Sequence, residues 1–232
     1  MVEIIFNMNR VELEKITVNI IEKSIIRLLG VKNEVTIGLT GGRSVLGIYN
    51  LFKTIEIPWE RVHIFMAEER LVPPDDPTNN FKMARDIFIK DLITKKKLPE
   101  ENVHPFIYNP EKTDGGVKDH ESEFKNIGPA FDIILLSSGH QGEVAALFPY
   151  HHSVKDVSEY FISLHDSPKP PKDRMTISRK LLLKSRVGIV LFIGETKRDA
   201  FNNFKNSNLN YESCPAKLIS LINTSFVITD LA

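Results

Sequence analysis

Two apolar runs, FDIILL at residues 131–136 and VGIVLFIG at residues 187–194, constrain the fold of this chain most strongly. Polar residues do not alternate through either run, so both predict strands that are covered on both faces. Such runs alternate along the chain with segments whose apolar residues recur at helical spacing, for example residues 10–30. We therefore predict an α/β fold with an open, mostly parallel, doubly wound sheet and helices on both faces. No linker interrupts the alternation, so residues 1–232 are predicted to form a single domain.

The charge balance and the single cysteine argue against several classes of protein. Thirty basic residues balance thirty acidic ones, so the sequence predicts no nucleic-acid partner and no attraction to a membrane surface. One cysteine, Cys214, excludes an internal disulfide and a cysteine-rich metal site. The N-terminus does not resemble a signal peptide, and no apolar stretch approaches the ~20 residues that span a bilayer. We therefore predict a cytoplasmic protein.

The first segment with functional chemistry is LTGGRS, residues 39–44, between a predicted strand and a predicted helix. In doubly wound folds, ligands bind beyond the carboxyl ends of the strands. The paired glycines Gly41 and Gly42 let a ligand approach the backbone, and the start of the following helix offers unpaired N–H groups to an anion. Arg43 adds a positive charge and Ser44 adds a hydroxyl. The segment predicts a phosphate site, although a plain capped turn explains the same residues equally well.

Three other segments place charge just after, or close to, predicted strands. They are AEERLVPPDDPTNN (67–80) with Arg70, SPKPPKDRMTIS (167–178) with Lys169, Lys172 and Arg174, and GETKRDAF (194–201) with Lys197. Prolines stiffen the second segment, which suits it to bind an anionic substrate. Lys197 falls in the first turn of a predicted helix, where a cation opposes the helix dipole and a bound anion would offset that cost. Each segment alone also fits an ordinary solvated surface.

The run FDIILL leads into a fifth segment, SSGHQGEVAALFP at residues 137–149. Small residues and two glycines after a buried strand predict a tight turn, followed by a helix over EVAALF (143–148). Such a turn directs side chains and backbone N–H groups into a ligand cleft. Gly139, Gln141 and Glu143 are therefore predicted site residues.

Taken together and in this order, the segments resemble the glucosamine-6-phosphate isomerase/6-phosphogluconolactonase family. The resemblance runs from the first helix to CPAKLISLINTSFVITDLA at residues 214–232. The stretch WERVHIFMAEERLVPPDDPTNNFKMARDIF (59–88) is similar to the lactonase segment with an Asp-Glu-Arg signature, which reads Glu-Glu-Arg here at 68–70. The deaminase branch lacks a segment like VPPDDPTNN (72–80), so the lactonase branch is favoured.

The resemblance implies a substrate, a reaction and a set of binding residues. The reaction is hydrolysis of 6-phosphoglucono-1,5-lactone to 6-phosphogluconate in the pentose phosphate pathway, with no metal and no organic cofactor. The substrate-binding residues that it implies, with those of the turn after FDIILL, are Gly41, Gly42, Arg43, Ser44, Arg70, Gly139, Gln141, Arg174 and Lys197.

The turn after FDIILL departs from the family pattern, which usually reads Gly-x-Asp-Gly-His. Gln141 stands at the acidic position and Glu143 at the histidine position. Glu143 is the predicted general base, and backbone N–H groups between Gly139 and Gly142 are predicted to stabilise the oxyanion. With pKa values of about 4.3 for Glu and about 6.5 for His, the weaker base lowers the rate by at most roughly a hundredfold. His140 is an alternative base if the turn is rebuilt.

Two other functions remain open from the sequence. A glucosamine-6-phosphate deaminase or isomerase would also depend on acid–base groups in this turn, and release of ammonia from that sugar would identify it. A non-catalytic binding or regulatory protein would keep the phosphosugar pocket without turnover. Tight binding of 6-phosphogluconate to an inactive protein would identify that second alternative.

Overall fold

The computed structural model describes residues 2–232 and is built around a seven-stranded parallel sheet. In spatial order the strands are β1 (Glu3–Phe6), β10 (Thr224–Thr229), β9 (Val187–Phe192), β6 (Ile133–Ser137), β2 (Val35–Leu39), β3 (Val62–Met66) and β5 (Val103–His104). Each neighbouring pair is parallel. The predicted α/β fold with a mostly parallel sheet is confirmed.

Helices connect the strands and differ widely in length. The α-helices are α1 (Arg10–Leu29), α2 (Leu46–Phe52), α3 (Asn80–Ala84), α4 (Lys90–Thr94), α5 (Val117–Ile127), α6 (His152–Lys155), α7 (Arg179–Leu183) and α8 (Arg198–Lys205). A π-helical segment, Arg85–Ile89, joins α3 to α4. Short 3-10 helices cover Arg43–Val45, Trp59–Arg61, Glu100–Asn102, Glu195–Lys197 and Pro215–Leu221. Within residues 2–232, no helix is both long enough and apolar enough to cross a bilayer.

The apolar run of β6 serves two hydrophobic cores, one on each face of the sheet. Ile133 and Leu135 pack into the core formed with α1, α2 and the α3–α4 segment. Ile134 and Leu136 point to the opposite face and pack into the core formed with α5, α7 and α8. Because successive side chains of a strand point to opposite faces, a strand covered on both sides must be apolar throughout. The predicted helices on both faces are thereby confirmed.

The strand order places the candidate turns beside each other. β2 and β6 are hydrogen-bonded neighbours. The chain proceeds from β2 towards β3 on one side, whereas β6 is followed on its other side by β9 and β10. Where connections diverge from adjacent parallel strands, a crevice opens beyond their carboxyl ends. The GGRS turn after β2 and the GHQGE turn after β6 therefore border the same crevice.

A second, antiparallel sheet begins directly after β3. Its strands are, in order, β4 (Glu68–Arg70), β8 (Arg174–Ile177) and β7 (Phe161–Leu164). The chain changes sheet at Ala67, whose N–H donates to Leu39 O at 2.6 Å and whose carbonyl accepts from Ile177 N–H at 2.9 Å. These two bonds explain the break, because Ala67 pairs with both sheets and cannot extend β3 alone.

The helix predicted over residues 143–148 is also wrong. Ala145 has a φ of 49°, which interrupts right-handed helical geometry, and Val144 forms an isolated bridge with Leu147. The backbone N–H groups bond elsewhere: that of Ala146 donates to the Thr176 hydroxyl at 3.1 Å. Tertiary hydrogen bonds thus replace the i to i−4 bonds that a helix would require, and Glu143 is left in an extended turn.

Candidate active site

The loops beyond β2, β6 and β9 and the second sheet border a cleft of about 380 Å³ at the carboxyl edge of the large sheet. The charged side chains that line it are the cations Arg10, Arg43, Arg70, Lys169, Arg174 and Lys197 and the carboxylates Glu68 and Glu143. Six cations against two carboxylates make the cleft positive in a chain whose charges balance overall. Because the low-dielectric walls of a cleft focus such a field, the cleft suits an anionic ligand.

Most of the predicted site residues come together in this cleft. Those that line it are Gly41, Gly42, Arg43, Ser44, Arg70, Gly139, Glu143, Arg174 and Lys197. Gln141 does not: its side chain is exposed and lies beside His140 in a shallow depression outside the cleft. The backbone N–H of Gln141 points inward to Glu143 Oε2 at 3.0 Å, and the side chain is directed away from it. Gln141 is therefore placed to hold the turn and not to contact a ligand in the cleft.

The most positive end of the cleft contains two short helix starts. Gly42, with φ 99°, precedes the 3-10 helix that begins at Arg43. Gly194, with φ 93°, precedes the 3-10 helix Glu195–Lys197, which leads into α8. The first N–H groups of a helix lack intrahelical partners and attract negative charge. Burial, and then the nearby Arg43 guanidinium, lower the pKa of Lys197, which shows how closely the cations are crowded.

Glu143 is held inside the cleft by the turn that carries it. The residue is only 5% exposed. Its Oε2 accepts a hydrogen bond from the Gln141 N–H, and its Oε1 contacts the Lys169 ammonium. Gly139 N–H donates to Glu143 O at 2.8 Å and closes the turn. A carboxylate in this position is fixed in direction and can face a ligand that enters between the cations.

Lys169 is a cleft residue that the sequence did not identify as a binding residue, although the basic loop that carries it was recognised. Burial, and then the charges of Lys197 and Arg174, lower the pKa of Lys169. Its ammonium reaches the Glu143 carboxylate from across the cleft. The sequence feature that pointed to this region was the proline-stiffened loop that carries Lys169. Nothing in that loop shows that Lys169 points inward while Lys172 is exposed.

Arg174 lines the cleft and donates hydrogen bonds to three groups of its own protein. Its Nη1 donates to Glu68 Oε2 at 3.1 Å, its Nε donates to Pro171 O at 3.1 Å, and its Nη2 donates to Pro170 O at 3.1 Å. The guanidinium is buried and bound on several sides by its own protein. This geometry fits a residue that positions the loop of Lys169 better than one that grips an anion directly.

Arg70 lines the cleft and is held in place by residues of its own protein. Its Nη1 donates to Thr78 O at 2.7 Å and contacts the amide oxygen of Asn80. Asn80 is held in turn by donating to Glu68 Oε1 at 2.9 Å. The Nε of Arg70 is buried and has no hydrogen-bond partner among the described residues.

The oxyanion site predicted in the 139–142 turn is not supported, because three of its amides already have partners. Gly139 N–H donates to Glu143 O, and Gly142 N–H donates to Gly139 O at 3.3 Å. Gln141 N–H donates to the Glu143 carboxylate. These N–H groups stabilise the turn and are not free to face a ligand. The Lys169 ammonium, which lies beside Glu143, is the donor best placed to replace them.

Glu69 should make the stability of the protein depend on pH. The side chain is fully buried, and burial raises the pKa of Glu69 to about 7, although the N–H groups of Asn80, Phe81 and Arg70 oppose the increase. In the unfolded chain a glutamate titrates near pH 4.3, so above that pH the folded state holds a proton that the unfolded state has released. The contribution of Glu69 to the free energy of unfolding should be fully present below about pH 4.3. It should decline as the pH rises to about 7, with a slope of up to ~1.4 kcal/mol per pH unit.

The measurement is urea unfolding of the wild type and of Glu69→Gln across pH 4 to 8. The difference in free energy of unfolding between them should change through this window and level off above it. Glu101→Gln, which alters an exposed carboxylate, serves as the control. If the difference in free energy of unfolding between the wild type and Glu69→Gln does not change with pH, the pKa of Glu69 is not raised in the folded protein.

Gly139 should not tolerate a side chain. A Cβ atom at this position would lie 1.7 Å from Glu143 Oε1 and 1.9 Å from its Cδ, so Gly139→Ala must displace the carboxylate. Overpacking of this kind costs about 1–3 kcal/mol of unfolding free energy, which chemical denaturation can measure. The control is Gly128→Ala, because Gly128 is extended and its nearest neighbour would be 3.9 Å away. Equal stability of the two variants would contradict the packing described here.

The chain is similar to known proteins along almost its whole length. The profile of a family described as "Glucosamine-6-phosphate isomerases/6-phosphogluconolactonase" matches residues 9–228. A 6-phosphogluconolactonase of Borreliella burgdorferi is 30% identical over 196 residues, which cover 84% of this chain and 83% of that protein.

Solved structures show the same architecture. The 6-phosphogluconolactonase of Thermotoga maritima superposes with a TM-score of 0.82 at 23% identity and covers 98% of this chain and 99% of its own. A 6-phosphogluconolactonase of Shewanella baltica superposes with a TM-score of 0.86 at 17% identity and covers 99% of this chain and 97% of its own. At these identities the likeness supports the fold, and the role of each cleft residue must be argued from the cleft itself.

Proposed function

Because the chain belongs to the glucosamine-6-phosphate isomerase/6-phosphogluconolactonase family, as its motifs predict, we propose that it is a lactone hydrolase. The substrate is 6-phosphoglucono-1,5-lactone and the product is 6-phosphogluconate, which places the reaction in the pentose phosphate pathway. The relative from Borreliella burgdorferi, named a 6-phosphogluconolactonase, supports the lactonase reaction over the deaminase reaction.

The observation that carries this proposal is a buried carboxylate surrounded by cations. Glu143 lies in the same cleft as Arg43, Arg70, Lys169 and Lys197. A phosphosugar lactone needs a cationic site for its phosphate and a base beside its carbonyl carbon. The helix starts after β2 and β9 support the phosphate site, and the carboxylate that follows β6 supports the base.

The cleft residues divide the reaction among them. Arg43, Ser44 and Lys197 bind the phosphate, and the Arg70 guanidinium faces an oxygen of the sugar. Glu143 accepts a proton from the water that attacks C1 of the lactone. Lys169 stabilises the oxyanion that forms on the carbonyl oxygen. Collapse of the tetrahedral intermediate breaks the bond between C1 and the ring oxygen, and the ring oxygen takes the proton from Glu143.

The test is a comparison of lactone consumption with and without the protein. Sugar lactones hydrolyse without an enzyme, so the result expected is loss of the freshly prepared lactone above the spontaneous rate. Two other outcomes would replace the proposal. Release of ammonia from glucosamine 6-phosphate would identify a deaminase. Tight binding of 6-phosphogluconate with no lactone consumption would identify a binding protein.

We also propose that the protein is cytoplasmic and that it forms a single domain. A cytoplasmic location is supported by Cys214, a buried and unpaired thiol that suits a reducing compartment. A single domain over residues 1–232 is supported by the sheet, because its edge strand β1 comes from the start of the chain and pairs with β10 from the end. Fractionation and limited proteolysis would test these two points.

A further inference from the structure

Three metal-binding side chains meet outside the cleft. His151 and His152 lie at the start of α6, and Asp166 follows β7. His152 Nε2 lies 2.9 Å from Asp166 Oδ1, and His151 Nε2 lies 3.4 Å from the same oxygen. One donor atom from each residue falls within 4.8 Å of the other two. The two imidazoles and the carboxylate therefore converge on one point, and we call them the His151–His152–Asp166 cluster.

The spacing of these atoms suits a tetrahedral ion. With ligand bonds of about 2.0–2.1 Å, neighbouring donors around tetrahedral Zn²⁺ lie ~3.3–3.4 Å apart. The His151–Asp166 separation of 3.4 Å matches that value, and the His152–Asp166 separation of 2.9 Å needs only a small adjustment of two exposed side chains. Two imidazoles with one carboxylate favour Zn²⁺ over Mg²⁺, which prefers oxygen ligands.

The environment of His151 supports a ligand role in particular. Its Nε2 is buried from solvent and has no hydrogen-bond partner in the described part of the chain. Its Nδ1 accepts a hydrogen bond from the Ser153 N–H at 3.2 Å and lies 3.0 Å from the hydroxyl of Ser153, a fully buried residue, so Nε2 carries the ring proton in this structure. When Nε2 binds an ion, the ring proton moves to Nδ1, which then donates to that hydroxyl in place of accepting from the Ser153 N–H. Histidine ligands commonly have such an outer partner, which fixes the tautomer and orientation of the ring.

We propose that the His151–His152–Asp166 cluster binds one Zn²⁺ ion, with water as the fourth ligand, and that the ion fastens the loop of Lys169 to the segment after Glu143. Asp166 begins the loop at residues 166–173, which carries Lys169, and His151 follows the turn of Glu143 by a few residues. The ion would therefore join the two segments whose side chains meet in the cleft. This proposal does not depend on the lactonase activity.

The test is titration of the full-length protein, prepared without a histidine tag, with Zn²⁺ by calorimetry. The wild type should bind one equivalent. Loss of an outer partner alone lowers metal affinity by about 10–100-fold, so His152→Ala and Asp166→Asn, which each remove a ligand, should weaken binding by at least that much. At 100 times its dissociation constant, Zn²⁺ should raise the Tm of the wild type by roughly 5–10 °C. Mg²⁺ should not raise the Tm by as much.

The matched control is His165→Ala. His165 neighbours Asp166, is exposed and pairs with Asp173 at 2.8 Å, so its removal takes away an imidazole from the same loop without touching the cluster. It should bind Zn²⁺ as the wild type does. The proposal fails if the wild type binds no Zn²⁺, or if His152→Ala and Asp166→Asn bind it as tightly as the wild type. It also fails if His165→Ala loses as much affinity as His152→Ala.

Discussion

Glu143→Gln is expected to lower kcat for lactone hydrolysis by about 10²–10⁴-fold, the usual contribution of a general base. Glutamine keeps the size of the side chain and an oxygen for the Gln141 N–H, but it cannot accept the proton of the attacking water. In the proposed assignment other residues, Arg43, Ser44 and Lys197, bind the phosphate, so the affinity for 6-phosphogluconate should change far less than kcat. Initial rates over a range of lactone concentrations, corrected for spontaneous hydrolysis, separate the two effects.

The matched control for this variant is Glu159→Gln. Glu159 is an exposed carboxylate that also pairs with lysines, Lys180 at 2.5 Å and Lys184 at 2.8 Å, but it does not line the cleft. Its replacement should leave lactone hydrolysis unchanged. If Glu143→Gln consumes lactone as fast as the wild type, Glu143 is not the base.

His140→Ala tests the alternative base. His140 is exposed outside the cleft, and the charge of Lys197, burial and further cations lower its pKa, so the imidazole is neutral at physiological pH. A neutral imidazole is a competent base, but this one would have to swing inward to reach a water above the lactone. His140→Ala should therefore retain wild-type activity. A large loss in this variant, with full activity in Glu143→Gln, would transfer the role to His140.

The contact between Glu143 and Lys169 explains how a glutamate can stand where the family pattern has histidine. An imidazole would become a second cation beside the Lys169 ammonium after it accepted a proton, whereas a carboxylate becomes neutral. In the proposed mechanism the same lysine stabilises the negative charge that develops on the lactone oxygen. Its contact makes Glu143 a weaker base, because a cation favours the ionised carboxylate, and the stabilised oxyanion offsets that loss.

The large sheet could be predicted because its strands are recognisable from their own short apolar runs, and several such runs indicate the same fold. The four residues Ile133–Leu136 of β6 are covered on both faces and must therefore all be apolar, which makes the strand recognisable in the sequence. The location of the site could be predicted for the same reason. Once the strands are parallel, the turns that follow them share one edge, so the turns of Arg43 and Lys197 must both lie there.

The sequence could not reveal features that depend on long-range partners. The chain leaves the large sheet at Ala67 because its next residues pair with β8, more than a hundred positions away, in the second sheet. EVAALF has good helical composition, but the hydroxyl of Thr176 captures one of its N–H groups and Ala145 takes a left-handed conformation. The inward direction of Lys169 depends on its contact with Glu143, and the Gln141 N–H donates to the same carboxylate. Neither can be derived from spacing along the chain.

Lys197→Met is expected to lower kcat/KM for the phosphorylated lactone by about 10–150-fold, since a hydrogen bond to a charged group contributes ~1.5–3 kcal/mol. Methionine preserves the packing of the half-buried stem and removes only the ammonium. Hydrolysis of unphosphorylated glucono-1,5-lactone should not change, because that substrate has no phosphate for Lys197 to bind. Lys205→Met is the control: it removes an exposed lysine at the far end of α8 and should alter neither reaction. Equal losses with both lactones would show that Lys197 acts on the cleft as a whole, and no loss with either would remove it from the phosphate site.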